Sequence, residues 1–181
     1  LGAYFQDDCA DELTKDPLLT TILNKEALAS QPTLSRFFNR MDEGTLNQFY
    51  DIMRRFRKVV YQIKNPELIL LDLDSTLLDT YGNQEGEGFN YHYQSNGYHP
   101  LVCYDGITGD LLKIQLRKGS AYSSTGVENF LQPLIDEFSE DYPDIPLLLR
   151  GDSGFTKPKL YEQCESAGIL YAIRLKENNI L

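Results

Sequence analysis

The chain has 181 residues, 41% of them hydrophobic and 12% aromatic, a composition that excludes a disordered or low-complexity segment. No apolar run approaches the roughly 20 residues of a membrane-spanning helix, so no membrane partner is expected. The net charge of −10 lies wholly in residues 67–181, since residues 1–66 hold nine basic and nine acidic side chains. Such a balance argues against a generic nucleic-acid surface, where basic groups dominate affinity, but a carboxylate-rich segment can also collect divalent cations.

The chain opens Leu1-Gly2-Ala3-Tyr4, neither an initiator methionine nor a signal peptide, and the expectation is an internal piece of a longer protein. Residues 1–66 read as a helical segment and a candidate DNA-binding one, since helices carrying basic residues contact phosphates. A short helix is predicted from about Pro32, carrying Arg36 and Arg40. A longer one begins near Asp42 or Thr45, where Leu46, Phe49, Met53, Phe56, Val60 and Ile63 form an apolar stripe. Arg54, Arg55, Arg57 and Lys58 sit largely off that stripe, as a solvated face or a phosphate-contacting strip.

At Asn65-Pro66 the pattern changes from helix to strand. The run Leu68–Leu71 into Asp72 predicts a strand buried on both faces. Gly82–Gly88 is too glycine-rich for regular structure and is expected to be a loop. Strands follow at about 98–104 and 110–117, joined at Asp105-Gly106-Ile107-Thr108-Gly109-Asp110 by a hairpin turn. A helix from Ser123 or Ser124 to about Phe138 presents Val127, Phe130, Leu131, Leu134, Ile135 and Phe138 on one face. A short strand at Leu147–Leu149 ends at Arg150-Gly151-Asp152, a helix runs from Lys157 to Ala167, and Ile169–Arg174 is a last strand. The order after residue 66 is strand, strand, strand, helix, strand, helix, strand.

Two acidic sites stand at the carboxyl ends of apolar strands, Asp72-Leu73-Asp74-Ser75-Thr76 and Gly151-Asp152-Ser153-Gly154. A carboxylate there needs a cation or a hydrogen-bond network to offset its burial, or it caps the following loop. Asp72 and Asp74 share a face of a regular strand, so alternation leaves the choice between them open. Cys9, Cys103 and Cys164 have no ligand spacing, which indicates neither zinc nor disulfides and fits a reducing cytoplasm. Tyr91-His92-Tyr93 offers aromatic rings that either pack or stack on an unpaired base.

The first acidic site resembles motif I of haloacid-dehalogenase-type phosphatases, in which Asp72 would be the nucleophile. That fold needs a helical crossover to a parallel strand, where this chain offers a glycine loop and a hairpin. A second resemblance covers nearly the whole chain. The segments Gln31–Phe37, Asp72–Thr76, Thr80-Tyr81-Gly82-Asn83-Gln84-Glu85-Gly86, Arg150–Phe155 and Arg174-Leu175-Lys176-Glu177-Asn178 resemble the DDE transposases of the IS1380 family of insertion sequences.

The resemblance implies an α/β fold: an RNase H-like mixed sheet over residues 67–181, incomplete at its end, preceded by the helical segment 1–66. It implies Asp74 and Asp152, 78 residues apart, as catalytic metal ligands, Asp74 being preferred because a hydroxyl residue, Thr76, follows two positions later. Two magnesium or manganese ions would sit between the carboxylates, a third ligand would come from beyond residue 181 in a Tyr-x-x-Arg-x-x-x-Glu helix, and the fragment alone would be inactive. Glu162, Glu165 and Glu177 do not match that motif. DNA contacts are expected at Arg36, Arg40, Arg54, Arg150 and Lys157. The expected partner is double-stranded DNA, bound by a homodimer in a bacterial cytoplasm, at the nucleoid. A truncated relic that binds DNA without cleaving it is the remaining alternative.

Overall fold

The computed structural model describes residues 9–176. They fall into two compact units, one ending at Ile52 and the other beginning at Met53.

The first unit holds α1 (Cys9–Leu13), α2 (Pro17–Leu23), α3 (Gln31–Phe38) and the start of α4 (Glu43–Lys64). Asp16 caps α2 by accepting from the Leu19 N–H at 2.8 Å, and Pro17 fits the first turn, where a missing N–H costs nothing. Asp42 accepts from the Thr45 N–H at 2.8 Å ahead of α4. That hydrogen bond holds the Asp42 carboxyl below its ordinary range. Arg36 and Arg40 are exposed on and just after α3.

The second unit is built on a five-stranded mixed sheet in the order β6-β5-β1-β7-β8. Its strands are β1 (Ile69–Ser75), β5 (Leu101–Asp105), β6 (Leu111–Gln115), β7 (Leu147–Gly151) and β8 (Leu170–Ile173). Strand β1 pairs antiparallel with β5, and β5 with β6, whereas β7 runs parallel to β1 and β8 parallel to β7. Helix α5 (Val127–Asp141) connects β6 to β7, and α6 (Pro158–Ser166) connects β7 to β8. This is the expected RNase H-like mixed sheet. Antiparallel β1–β5–β6 removes the phosphatase alternative, whose sheet requires a parallel crossover at that place.

The core lies where the sequence pattern put it. Ile69, Leu71 and Leu73 from β1 and Leu149 from β7 meet all six predicted α5 residues, Val127 to Phe138. Burying each of these side chains contributes roughly 1.5–3 kcal/mol. Among the described residues no helix is long and apolar enough to cross a membrane.

Three local features depart from the sequence reading. A second, three-stranded sheet, β2-β4-β3, lies between β1 and β5 in the chain, formed by β2 (Leu78–Asp79), β3 (Gly88–Asn90) and β4 (Ser95–Tyr98). The strand expected over 98–104 is therefore two strands, parted at His99-Pro100, where proline has no N–H for a ladder. Finally, α4 does not bury the stripe that made it readable. Phe56 is 70% and Ile63 80% exposed, while Arg57 and Tyr61 are the buried residues of the helix.

The reason is charge pairing with α5. Arg54 donates to Asp141 Oδ2 from Nε and a terminal nitrogen at 2.9 and 2.7 Å, and Lys58 donates to Asp141 Oδ1 at 3.0 Å. Arg57 pairs with Glu137 and lies 5.0 Å above the Phe138 ring. The basic strip is thus neither a solvated face nor a row of unengaged cations, Arg55 being the one of the four that is exposed.

Candidate active site

Strands β1 and β7 run parallel in a register that pairs Asp72 with Arg150 and Leu73 with Gly151. Asp74 and Asp152 are the next residues along on the two strands. Asp152 keeps an extended backbone, φ −80° and ψ −176°. Neighbouring strands lie about 4.8 Å apart, so the ladder itself brings the two carboxylates side by side at the strand ends. Both line one cleft of about 420 Å³.

Each carboxylate is held by one oxygen. Asp74 Oδ1 accepts from the Ser75 N–H at 2.7 Å, and Asp152 Oδ1 accepts from the Gly154 N–H at 2.8 Å. Among the described residues the second oxygen of each has no hydrogen-bond partner. Gly154 is required by close approach, since a Cβ there would stand 2.9 Å from Ser123 Cβ and 3.0 Å from Asp152 Oδ1.

Asp72 is differently placed. Arg150 donates to both of its oxygens, at 2.7 and 2.6 Å, a fork-to-fork pair across the ladder. Both oxygens of Asp72 are thereby occupied, while those facing the cleft belong to Asp74 and Asp152.

The remaining wall comes from His99, the loop between β6 and α5, and the aromatic run Tyr91–Tyr93. Arg117 donates to the carbonyls of His99, Tyr122, Ser123 and Thr125 at 2.8–3.2 Å, and so shapes the loop between β6 and α5. Burial lowers its pKa. His99 is buried and its Nδ1 lies 2.7 Å from the Ala121 carbonyl; because a carbonyl only accepts, Nδ1 carries the hydrogen. Tyr91, His92 and Tyr93 line the same cleft, and Lys176 is the only cationic lining residue among those described.

The other expected site residues lie elsewhere. Lys157 pairs with Glu128 at 2.8 Å, and Arg54 with Asp141. Arg36 donates to the Thr33 hydroxyl at 3.0 Å and lines a shallow groove of the first unit with Arg40 and Asn39. Neither Glu162 nor Glu165 lines the cleft; Glu165 accepts from the Tyr171 hydroxyl at 2.9 Å. Glu177 lies outside the described residues.

Two carboxylates with an unengaged oxygen each are hard donors suited to magnesium or manganese. Among the described residues no group of three or more His, Cys, Asp or Glu side chains forms a fuller metal site.

A family model described as transposase DDE domain group 1 matches residues 1–181. The chain belongs to that family. Its members are DDE transposases, and divalent ions generally serve such domains. No curated protein matches the chain. Among solved structures it is similar to a piggyBac transposase in a synaptic complex with hairpin DNA. The identity is 15% and the TM-score 0.45, over 93% of this chain and 38% of that one. The DDE chain thus spans well under half the length of that transposase.

Proposed function

We propose that Asp74 and Asp152 are two carboxylate ligands of a divalent-metal site that cleaves and joins DNA phosphodiesters during movement of an insertion sequence of the IS1380 family. The observation that carries this reading is their placement one step beyond the last paired residues of β1 and β7, facing one cleft. Magnesium or manganese, when bound, neutralises charge at the phosphate and makes a water or a 3′-hydroxyl more acidic. The protein's own contribution is positional. The Ser75 and Gly154 amides orient one oxygen of each aspartate, leaving the other for the cation. Arg150 keeps Asp72 from competing with Asp74.

Lys176 engages a DNA phosphate beside the carboxylates, and Arg36 and Arg40 contact phosphates from the first unit. Arg54, Arg150 and Lys157, the other residues expected to contact DNA, each pair with a carboxylate of the protein itself. The third carboxylate lies outside residues 9–176. Two copies act together on double-stranded DNA in the cytoplasm.

Calorimetric titration with manganese tests the assignment. Asp74→Asn and Asp152→Asn are each expected to abolish binding, and Asp72→Asn to retain it. Unchanged manganese affinity in both of the first two variants would overturn the reading. Cleavage of DNA carrying the element's ends should fall in the same two variants by about 10³-fold, equivalent to about 4 kcal/mol of barrier. Full cleavage in either would also count against it.

A further inference from the structure

The turn between β3 and β4 is a built device that the metal chemistry does not use. Asn90 is buried, and its Nδ2 donates to the Gly119 carbonyl at 2.8 Å. Its Oδ1 accepts from the N–H groups of His92 and Tyr93 at 3.0 and 3.2 Å. Gln94 closes the turn in the left-handed region, at φ +56°. The backbone carrying three successive aromatic side chains is therefore fixed from below by one buried amide.

The rings themselves are left out in the cleft. Tyr91 is 80% and Tyr93 44% exposed. Tyr91 meets Phe89 edge-on at 5.2 Å, and Tyr93 meets His92 at 4.8 Å and His99 at 5.9 Å, also edge-on. Tyr91 and Tyr93 line the same cleft as Asp74, Asp152 and Lys176. An exposed aromatic on a mobile loop would be ordinary surface, but a rigidly mounted one facing two carboxylates and a lysine is placed for a ligand. That ligand has a flat apolar face and is attached to a phosphate.

We propose that this turn is a nucleobase platform: Tyr91, braced edge-on by Phe89, stacks on a base that is unpaired beside the phosphate engaged at Asp74 and Asp152. The inference rests on the reading of the cleft as a DNA-cleavage site and adds a preference for DNA that is locally unpaired. Stacking tolerates any base, because every base has a π-face, so the platform confers structural selectivity and no sequence readout.

The test compares two DNA probes by fluorescence anisotropy without divalent metal: a blunt duplex, and the same duplex with a short unpaired overhang. The unsubstituted protein is expected to bind the overhang probe more tightly. Tyr91→Ala should weaken that binding about tenfold, leave the blunt probe unchanged and remove the preference, and Tyr91→Phe should restore it. Overhang binding unaffected by Tyr91→Ala, equal loss on both probes, or no preference in the unsubstituted protein would each overturn the platform. Cleavage that survives Asp74→Asn would sink the reading of the cleft itself, and it is scored separately from this metal-free comparison.

Discussion

Arg150 and Asp72 stand opposite each other on parallel strands and share two hydrogen bonds of 2.7 and 2.6 Å, two residues before the paired carboxylates of the cleft. Because their side chains are 53% and 32% exposed, the pair contributes modestly to stability. A double-mutant cycle of Asp72→Asn and Arg150→Ala should show only weak coupling in urea unfolding, because solvent screens an exposed pair. Arg150→Ala alone should lower DNA cleavage more than Asp72→Asn does, because it leaves a second carboxylate unneutralised beside the site. Equal effects of the two substitutions on cleavage would count against that role.

Tyr61 donates from its hydroxyl to Asp105 Oδ2 at 2.6 Å, and both side chains are buried. Burial first, then the hydrogen bond to Asp105, pushes the Tyr61 pKa far above its ordinary value. A raised folded-state pKa contributes stability that is present below the unfolded value, about 10, and is lost as pH rises toward the folded one. Tyr61→Phe should cost about 1–3 kcal/mol near neutrality by leaving that Asp105 oxygen without its donor. Above pH 10 the gap between the two proteins should narrow. Parallel stability curves across that window would show that the hydroxyl carries no such linkage.

Asp141 is held by Arg54 and Lys58 of α4. Burial alone would raise its pKa, but the hydrogen bonds from Lys58 and Arg54 prevail and lower it. A depressed carboxylate pKa contributes stability above the unfolded value, about 3.9, that is lost as pH falls through the folded one. Asp141→Asn should therefore destabilise by about 2 kcal/mol at pH 7, with the deficit shrinking below pH 4. Thermal melts at pH 7 and pH 3 with equal deficits would refute the pairing as its source.

Gly119 packs so closely that a Cβ would fall 2.1 Å from the Gly88 carbonyl oxygen and 2.4 Å from that of Gly97. Gly119→Ala should destabilise by about 1–3 kcal/mol and loosen the Asn90 turn. Proteolysis in the segment 88–98 should accelerate. An unchanged cleavage rate there would show that the small sheet does not depend on this contact.

The main sheet and α5 were legible because continuous apolar runs and a helical apolar face leave few alternatives. Leu71, Leu149 and Phe138 are buried as the pattern predicts. The small sheet was not legible: β2 has two residues and β3 has three, one of them glycine, too few for any period to register. Nor was the buried edge of α4. Arg54 and Arg57 find their carboxylates 87 and 80 residues away, and no local pattern encodes so distant a partner. The two aspartates could be placed at strand ends from sequence, where Thr76 favoured Asp74 over Asp72 through the resemblance alone; that Arg150 holds both oxygens of Asp72 is a pairing across 78 residues that no local pattern encodes.

Because Asp74 and Asp152 follow directly on a shared backbone ladder, the spacing of the site is counted in whole residues. A single insertion within β1 or β7 would shift one carboxylate by about 3.3 Å and turn it to the other face. An insertion of any length between Gly82 and Glu87, where the chain pairs with neither strand, would leave the count intact. The two strand ends are thus locked in step by backbone pairing, whatever the length of the loop that lies between them in the chain.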